Sequence, residues 1–250
     1  MVFFKKKYKT GRDGLSQDTM INGARLITAS EPKNPVSEQF RTIRTNIEFA
    51  SVAKGNVKTL LISSPLPSEG KSTITANLAV AYAQQGKKVL LVDTDLRRPT
   101  VARTFGVTDN HGLTNYLADV NSDAGSIIHH TRMATLDVVA SGPVPPNPAE
   151  LLASSRMTNL IVELRKRYDM VIFDVPPFLM VTDAQVLMSK VDGVAVVVSG
   201  KQTAKSALQR TVDMLKLADA PVLGFIFNDR NRKKNSGSGY GYGYGYGEAK

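Results

Sequence analysis

Five short apolar segments constrain the fold of this 250-residue chain more than any other feature. Each is four to six residues long and rich in Val, Ile, Leu or Phe, the pattern of a parallel strand that is covered on both faces. We therefore predict buried strands at Val57–Ile62, Lys88–Val92, Met170–Phe173, Val194–Val198 and Val222–Phe227.

Stretches with the apolar spacing of a helix separate these strands. Strands that alternate with helices predict an α/β fold with a doubly wound, mostly parallel sheet. Such a sheet binds its ligands outside the carboxyl ends of its strands, so we expect the site there. The predicted helices are Ser72–Gln85, Ser155–Tyr168, Ala204–Leu217 and an earlier one from Pro35 to about Val52, with Asn34 as its N-cap.

The formal net charge of +10 is concentrated at the two ends of the chain. Residues 1–14 carry a net +4 and residues 229–250 a net +3, which leaves +3 for the 214 residues between them. A surface that binds nucleic acid should lie on the folded body, so this distribution argues against nucleic acid as a partner. Basic ends favour an acidic partner or the inner membrane surface, although they can also serve solubility alone.

The composition divides the chain into three parts. Residues 1–19 are predicted to form a basic arm, residues 20–229 the folded domain, and residues 230–250 a disordered tail in which Gly alternates with Ser and then Tyr. The chain has no cysteine, which excludes disulfides, thiolate metal sites, iron–sulfur clusters and a cysteine nucleophile. No apolar run approaches the roughly 20 residues of a membrane span, and the N-terminus does not resemble a secretory signal, so we expect a soluble, cytoplasmic protein.

The segment SSPLPSEGKST (Ser63–Thr73) joins the first predicted strand to a helix, which is the position of a phosphate-binding loop. Gly70 allows close backbone approach, and the loop amides together with the helix N-terminus attract anionic phosphate. In such a loop Lys71 reaches the β- and γ-phosphates and the Ser72 hydroxyl is a magnesium ligand. Pro65 stands where the general pattern has glycine. The predicted nucleotide contacts are Ser68, Glu69, Gly70, Lys71, Ser72 and Thr73.

Acidic residues follow two other predicted strands. Asp93 and Asp95 come directly after one strand, and Asp174 after another. A carboxylate that follows buried apolar residues is unfavourable unless a cation lies opposite it, and Mg²⁺ prefers such oxygen ligands. The alternative is that each aspartate caps the helix that follows, which is common for a single site.

The motifs together resemble those of a bacterial tyrosine kinase of the Gram-positive type, the cytoplasmic kinase of capsular and exopolysaccharide synthesis. SSPLPSEGKST resembles its Walker A motif, with Ser68 where glycine is more usual. LLVDTDLRRP (Leu90–Pro99) resembles its Walker A′ motif, and VIFDVPP resembles its Walker B motif. SGPVPPNPAELL (Ser141–Leu152) also resembles a stretch of this family. The resemblance implies a P-loop NTPase architecture of the MinD/ParA-like kind, with residues 20–229 as the kinase domain.

The resemblance also implies roles for individual residues, with ATP and Mg²⁺ as cofactors. Asp93 is the candidate base for the tyrosyl proton, Asp95 organises the magnesium waters, and Asp174 binds Mg²⁺ or one of its waters. Spacing does not decide which of Asp93 and Asp95 is the base. Arg97 adds charge stabilisation and Asn228 contacts adenine. The implied catalytic group is Lys71, Asp93, Asp95 and Arg97, and the implied metal ligands are Ser72, Asp95 and Asp174.

Assembly and partners follow from the same resemblance. The element Glu38–Arg44 matches an E-x-x-R-x-x-R motif for ring-like self-association through Glu38, Arg41 and Arg44, whereas this spacing otherwise favours local ion pairs. The implied partners are further copies of the chain, a separate transmembrane activator (a polysaccharide co-polymerase) and a cognate tyrosine phosphatase, at the inner face of the cell membrane. The implied sites of autophosphorylation in trans are Tyr240, Tyr242, Tyr244 and Tyr246.

Two other functions share this fold. A partition or site-selection ATPase uses dimerisation instead of phosphoryl transfer to a protein. The members of that group resemble one another in having a second lysine five residues before the phosphate-loop lysine. Here that position is Leu66, and those ATPases lack a tyrosine tail. A non-catalytic nucleotide-binding scaffold is the other alternative, and the presence of all three aspartates argues against it.

Overall fold

The computed structural model describes residues 15–229, so the predicted tail and most of the predicted arm lie outside it. A single sheet of seven strands forms the centre of these described residues. The strands are β1 (Thr59–Ser63), β2 (Val89–Asp93), β3 (Ile128–His130), β4 (Leu136–Val139), β5 (Met170–Asp174), β6 (Gly193–Ser199) and β7 (Val222–Asn228).

Helices lie between most of the strands and cover both faces of the sheet. They are α1 (Leu15–Asn22), α2 (Ile27–Ser30), α3 (Pro35–Lys54), α4 (Lys71–Ala83), α5 (Val101–Phe105), α6 (Leu113–Ala118), α7 (Pro148–Ala153), α8 (Ser155–Arg167), α9 (Asp183–Met188) and α10 (Lys205–Leu217). A 3₁₀ turn, Ala124–Ile127, precedes β3. The predicted boundary between residues 19 and 20 falls within α1. None of the helices in residues 15–229 combines the length and apolar character needed to cross a bilayer.

The strand order is β3-β4-β2-β5-β1-β6-β7, and every neighbouring pair except β3–β4 is parallel. This order confirms the predicted doubly wound, mostly parallel sheet of a P-loop NTPase. The carboxyl ends of β1, β5 and β2 lie side by side at one edge, and Asp93 is in register with Asp174. The phosphate loop and the three predicted aspartates therefore meet at the same place.

Alternate strand residues pack against different helices. Leu60 and Ile62 of β1 join a buried cluster with residues of α3 and α4, whereas Leu61 joins a second cluster with residues of α8, α9 and α10. All three side chains are fully buried. Burial on both faces explains why the central strands are continuous apolar runs, and it holds α4 rigidly behind the phosphate loop.

The strands β3 and β4 were not predicted from the sequence. The β4 segment LDVV is interrupted by a charged residue, Asp137, which is 8% exposed. Its carboxylate accepts a hydrogen bond from the Tyr168 hydroxyl at 2.8 Å and lies 2.7 Å from His130 Nδ1. These partners satisfy a buried carboxylate, so a strand forms where the hydropathy pattern alone does not indicate one.

Helix α3 begins and ends where local signals place it. The Asn34 side chain accepts a hydrogen bond from the Val36 amide, as predicted for the N-cap, and Gly55 ends the helix in the left-handed conformation. The helix packs on α4 through Phe40 and Ile47, which are both buried.

The two arginines of the E-x-x-R-x-x-R element have different environments. The Arg41 guanidinium pairs with Glu38 at 2.5 Å and donates to the carbonyl of Pro32. Arg44 instead turns inward and donates through Nη1 to the Ala81 carbonyl at 2.9 Å. Ala81 lies in the last turn of α4, where a cation also interacts favourably with the helix dipole. Arg44 therefore fastens α3 to the helix that carries the phosphate loop.

We expect Arg44→Ala to lower the free energy of unfolding by about 1–2 kcal/mol, because a charged hydrogen bond to a half-buried carbonyl is lost. Arg41→Ala is the matched control, and its exposed local contacts predict a change below about 1 kcal/mol. Urea unfolding followed by circular dichroism measures both changes. Equal changes in the two variants would contradict a specific role for Arg44.

Candidate nucleotide and phosphoryl-transfer site

A cavity of about 250 Å³ opens at the carboxyl ends of β1, β2 and β5. Its walls come from four segments: the phosphate loop at 67–73, residues 95–100 after β2, residues 176–181 after β5, and α1 through Thr19 and Met20. The first three segments are the motifs that the sequence singled out. Tertiary folding thus brings residues separated by more than a hundred positions around one space.

The backbone of the phosphate loop is held in an unusual conformation. Gly70 is the N-cap of α4 with φ +91°, and a Cβ atom there would lie 2.3 Å from Nδ2 of Asn228. Ser68 adopts φ +65°, a conformation that non-glycine residues rarely occupy. This finding explains why glycine is more usual at the position of Ser68. The loop amides and the first turn of α4 can then face the cavity together.

Lys71 begins α4 and links the acidic residues. Its Nζ lies 2.9 Å from Oδ2 of Asp95, 3.4 Å from Oδ1 of Asp174 and 3.1 Å from the Ser72 hydroxyl. Burial by itself lowers the pKa of Lys71, but the charges of Asp174 and Asp95 outweigh this effect and raise it. The ammonium is therefore charged and is held where a phosphate chain would lie on the loop.

Asp93 is buried, and its carboxylate accepts hydrogen bonds from backbone amides. Its Oδ2 accepts hydrogen bonds from the amides of Thr100 at 2.8 Å and Val101 at 2.9 Å, and its Oδ1 accepts one from the Asp95 amide at 3.2 Å. Asp93 thus orders the turn into α5, as in the helix-capping alternative, and it is not on the cavity wall. Burial, reinforced by the charge of Asp174, raises the pKa of Asp93.

Asp95 is the acidic residue that lines the cavity. One carboxylate oxygen contacts Lys71, and the other accepts a hydrogen bond from the Arg98 amide at 3.0 Å. Asp174 lies behind it, with its pKa raised by burial although Lys71 lowers it. Of the two candidate bases, Asp95 is the one that lines the cavity, whereas Asp93 is the one whose pKa is raised. Access to the substrate and a raised pKa, the two properties that a general base needs, therefore lie on different residues.

Glu69 and Asn228 form a brace on the other side of the loop. The Glu69 carboxylate, 1% exposed, accepts hydrogen bonds from the Thr203 hydroxyl and from the Leu66 amide at 2.9 Å. Asn228 donates from Nδ2 to the Glu69 carbonyl at 2.8 Å. Because the Glu69 side chain is occupied in this way, a contact of Glu69 with nucleotide would use its backbone amide. Thr73, by contrast, lies on the cavity wall.

Arg97 lies on the cavity wall and is partly committed to another residue. It donates from Nε and Nη2 to Asp183 at 3.1 and 3.3 Å. Asp183 is fully buried at the start of α9, whereas the Arg97 side chain is 45% exposed. This ion pair holds the guanidinium at the cavity mouth.

The residues present fit a magnesium ion that arrives with a phosphate ligand. No group of three or more His, Asp or Glu side chains within residues 15–229 is arranged to hold a metal alone. Magnesium usually takes one or two carboxylates and completes its shell with phosphate and water. The Ser72 hydroxyl and the carboxylates of Asp95 and Asp174 converge around Lys71 and provide such a donor set.

Sequence reasoning missed the apolar part of the cavity. Met20, Met180 and Val181 line it, but no motif contains them. Met20 lies at the predicted edge of the basic arm, and only the packing of α1 near α5 brings it to the site. The four tail tyrosines lie outside the described residues.

Fold and site together define a P-loop nucleotide-binding protein, and comparison with known families agrees. The AAA domain family matches residues 67–222, which include the phosphate loop and both aspartate motifs. Because the match covers more than half of the chain, the chain belongs to this family. Its members bind nucleotide with a metal ion.

Individual relatives of this chain narrow the class to one enzyme family. Tyrosine-protein kinase YwqD of Bacillus subtilis is 48% identical over 205 residues, which are 82% of this chain and 86% of the relative. Putative tyrosine-protein kinase CapB of Staphylococcus aureus is 40% identical over 81% of this chain and 88% of its own length. The kinase domain of the Escherichia coli tyrosine kinase ETK superposes with a TM-score of 0.78 at 32% identity, over 88% of this chain and 85% of that domain. The chain belongs to the family of bacterial tyrosine-protein kinases.

The site-selection ATPases are also similar, but less so. The septum site-determining protein MinD of Pyrococcus horikoshii, solved with Mg-ADP, superposes with a TM-score of 0.61 at 26% identity, over 71% of this chain and 72% of that protein. This likeness confirms the predicted MinD/ParA-like architecture. The ETK kinase domain is more similar to this chain than MinD is, in both TM-score and sequence identity.

The raised pKa of Asp93 predicts how stability depends on pH. A carboxyl with a raised native pKa stabilises the fold below its unfolded pKa of about 4, and this contribution is lost as pH rises through the native pKa. Asp93→Asn removes the charge and keeps an oxygen acceptor for the amides of Thr100 and Val101, and it gives up only the longer contact of the Asp95 amide at 3.2 Å. We expect the nucleotide-free variant to exceed the parent protein in stability by about 2 kcal/mol at pH 8, with little difference at pH 4.

Thermal melts across this pH range measure the effect, which corresponds to a Tm shift of roughly 4–8 °C at pH 8. The exposed Asp213→Asn is the matched control and should show no such trend. A variant that is less stable than the parent at every pH would show that the amide contacts require the charged carboxylate.

Proposed function

We propose that this protein is an ATP-dependent protein-tyrosine kinase that phosphorylates tyrosines of its own C-terminal tail. The observation that carries this function is the buried cluster in which Lys71, at the start of α4, meets Asp95 and Asp174 beside the phosphate loop. Phosphoryl transfer mainly requires positioning and charge neutralisation. The cluster provides both, and the curated relatives are tyrosine-protein kinases.

Each group of the site has a defined task in this reaction. Bound Mg-ATP supplies the phosphoryl group and the metal charge. The Lys71 ammonium binds phosphate oxygens, Ser72 and the carboxylates of Asp95 and Asp174 hold the metal, and Arg97 adds positive charge at the mouth of the cavity. Asp93 or Asp95 takes the phenolic proton, which is useful because a free phenol has a pKa near 10.

The tail is the proposed acceptor because the tyrosines within residues 15–229 are inaccessible. Tyr82, Tyr116 and Tyr168 are each no more than 6% exposed. The tail tyrosines are separated by single glycines, which let the backbone bend into a neighbouring active site. Phosphorylation of all four would change the net charge of residues 229–250 from +3 to roughly −3 to −5. This reversal supports the release of neighbouring copies from one another.

We further propose that transfer occurs in trans within a ring-like homo-oligomer that uses α3. Glu38 and Phe49 are eleven positions apart, so they share a face of the helix. Phe49 is 72% exposed and Val52 81% exposed, so two large apolar side chains of α3 face solvent. In this assembly Arg41 and Glu38 are available to a partner, while Arg44 acts by fixing α3 to α4.

A role in capsule or exopolysaccharide synthesis completes the proposal. The basic ends of the chain favour the anionic inner face of the cell membrane, where a transmembrane co-polymerase would act as activator and a tyrosine phosphatase would reverse the modification. Phosphotyrosine formation with and without the cytoplasmic segment of such an activator tests this partnership.

Lys71→Met should abolish phosphotyrosine formation from Mg-ATP, with a loss of about a hundredfold or more, because the charge aimed at the phosphates is removed. The exposed Lys205→Met is the matched control and should keep full activity. Anti-phosphotyrosine blotting measures the product, and circular dichroism verifies that the variant remains folded without its buried cation. Normal phosphorylation by folded Lys71→Met would refute the site.

Replacement of Tyr240, Tyr242, Tyr244 and Tyr246 by Phe should remove most phosphotyrosine, leave ATP binding intact and keep the assembled state in the presence of Mg-ATP. Mass spectrometry and sedimentation measure these outcomes, with Tyr8→Phe as the control that preserves phosphorylation. Phosphate found mainly on Tyr8, Tyr82, Tyr116 or Tyr168 would contradict the tail as acceptor.

A further inference from the structure

Part of the cavity lining is apolar and forms what is called here the apolar wall. Met20 from α1, Pro177, Met180 and Val181 lie there, and Met180 is 57% exposed. Phosphate and magnesium gain nothing from such a surface, since both require polar or charged partners. An exposed apolar wall beside catalytic charges therefore indicates a second ligand with an apolar body.

The sheet topology places this wall on one side of the phosphate loop. The loop follows β1, with β6 and β7 to one side and β5 and β2 to the other. Asn228, the predicted adenine contact, ends β7 and is not part of the cavity. The apolar residues lie on the other side: residues 176–181 follow β5, and α1 packs near α5, which follows β2. With adenine at Asn228, as the resemblance implies, the nucleoside and the apolar wall lie on opposite flanks of the phosphates. An in-line phosphoryl acceptor must approach from the flank away from the nucleoside.

We propose that Met20, Met180 and Val181, with Pro177, form the slot that seats the aromatic ring of the acceptor tyrosine. The ring packs against these side chains and its hydroxyl points to the end of the cavity that Asp95 lines. There the phenolic oxygen bonds to the γ-phosphorus, the bond from that phosphorus to the bridging oxygen breaks, ADP leaves with the electron pair, and the proton passes to the aspartate base. The inference rests on the proposed kinase function and identifies what selects tyrosine.

The α1 side of the slot is anchored to the domain. The Ala24 amide donates to the Thr104 hydroxyl at 2.9 Å, and a Cβ atom on Gly23 would lie 2.8 Å from the backbone of Arg103. This close approach sets the chain that follows α1 against α5 and thereby fixes Met20 at the cavity. A serine or threonine acceptor leaves the apolar wall unfilled, so it lacks the contact that an aromatic ring gains.

The test measures acceptor binding separately from transfer. The full chain with its four tail tyrosines changed to Ser is loaded with Mg-ADP, and a fluorescein-labelled GYGYGYG peptide is titrated by anisotropy. Met20→Gln combined with Met180→Gln keeps the shape and length of both side chains and removes their apolar character. We expect about tenfold weaker binding of this peptide, with unchanged affinity for a fluorescent ADP analogue.

Ile21→Gln is the matched control, since Ile21 lies beside Met20 on α1, is 67% exposed and does not line the cavity. It should bind the peptide as the parent does, and a GSGSGSG peptide should bind at least tenfold more weakly than GYGYGYG. Equal binding of the two peptides, or an equal loss in Ile21→Gln, would overturn the slot. Selective peptide binding without phosphate transfer from Mg-ATP, measured with the cytoplasmic segment of the activator present, would instead leave the slot intact and refute the kinase function.

Discussion

The contact of one buried ammonium with buried carboxylates is the interaction on which the rest of this structure depends. The strands β2 and β5 end side by side and place Asp93 in register with Asp174, so like charges are forced together inside the protein. Lys71 pairs with Asp174 and with the neighbouring Asp95, because α4 begins directly in front of these strand ends. Breaking such a pair leaves an uncompensated buried charge, which is among the most costly changes a fold can suffer.

The same cluster shows how the site trades stability for function. Burial raises the pKa values of Asp93 and Asp174, which means that their charged forms are disfavoured in the nucleotide-free protein. Ser68 adds a backbone conformation that its side chain disfavours. These unfavourable features lie at the cavity, whereas the neighbouring core of β1 and α4 is buried and largely apolar. A rigid scaffold can hold such groups in place until phosphate and metal relieve them.

The strand order assigns the two flanks of the phosphate loop to different tasks. The flank of β6 and β7 carries the Glu69–Thr203 and Asn228 contacts that brace the loop. The flank of β5 and β2 carries the aspartates and the apolar wall. A fold shared with site-selection ATPases can therefore acquire an acceptor site through side chains near α1 and after β5. Function in this architecture lies in the loops at the carboxyl edge of the sheet.

The sequence by itself determined the strands that are buried on both faces, the helices with clear caps, the phosphate loop and the acidic strand ends, because these depend on local spacing and chemistry. It did not reveal β4, whose Asp137 breaks the apolar pattern and is satisfied only by Tyr168 and His130. Only the tertiary structure decided that Asp95 lines the cavity while Asp93 caps a turn, that Arg44 turns into α4, and that Met20 reaches the site. Each of these depends on which distant backbone or side chain lies opposite, and residue spacing along one chain carries no information about that neighbour.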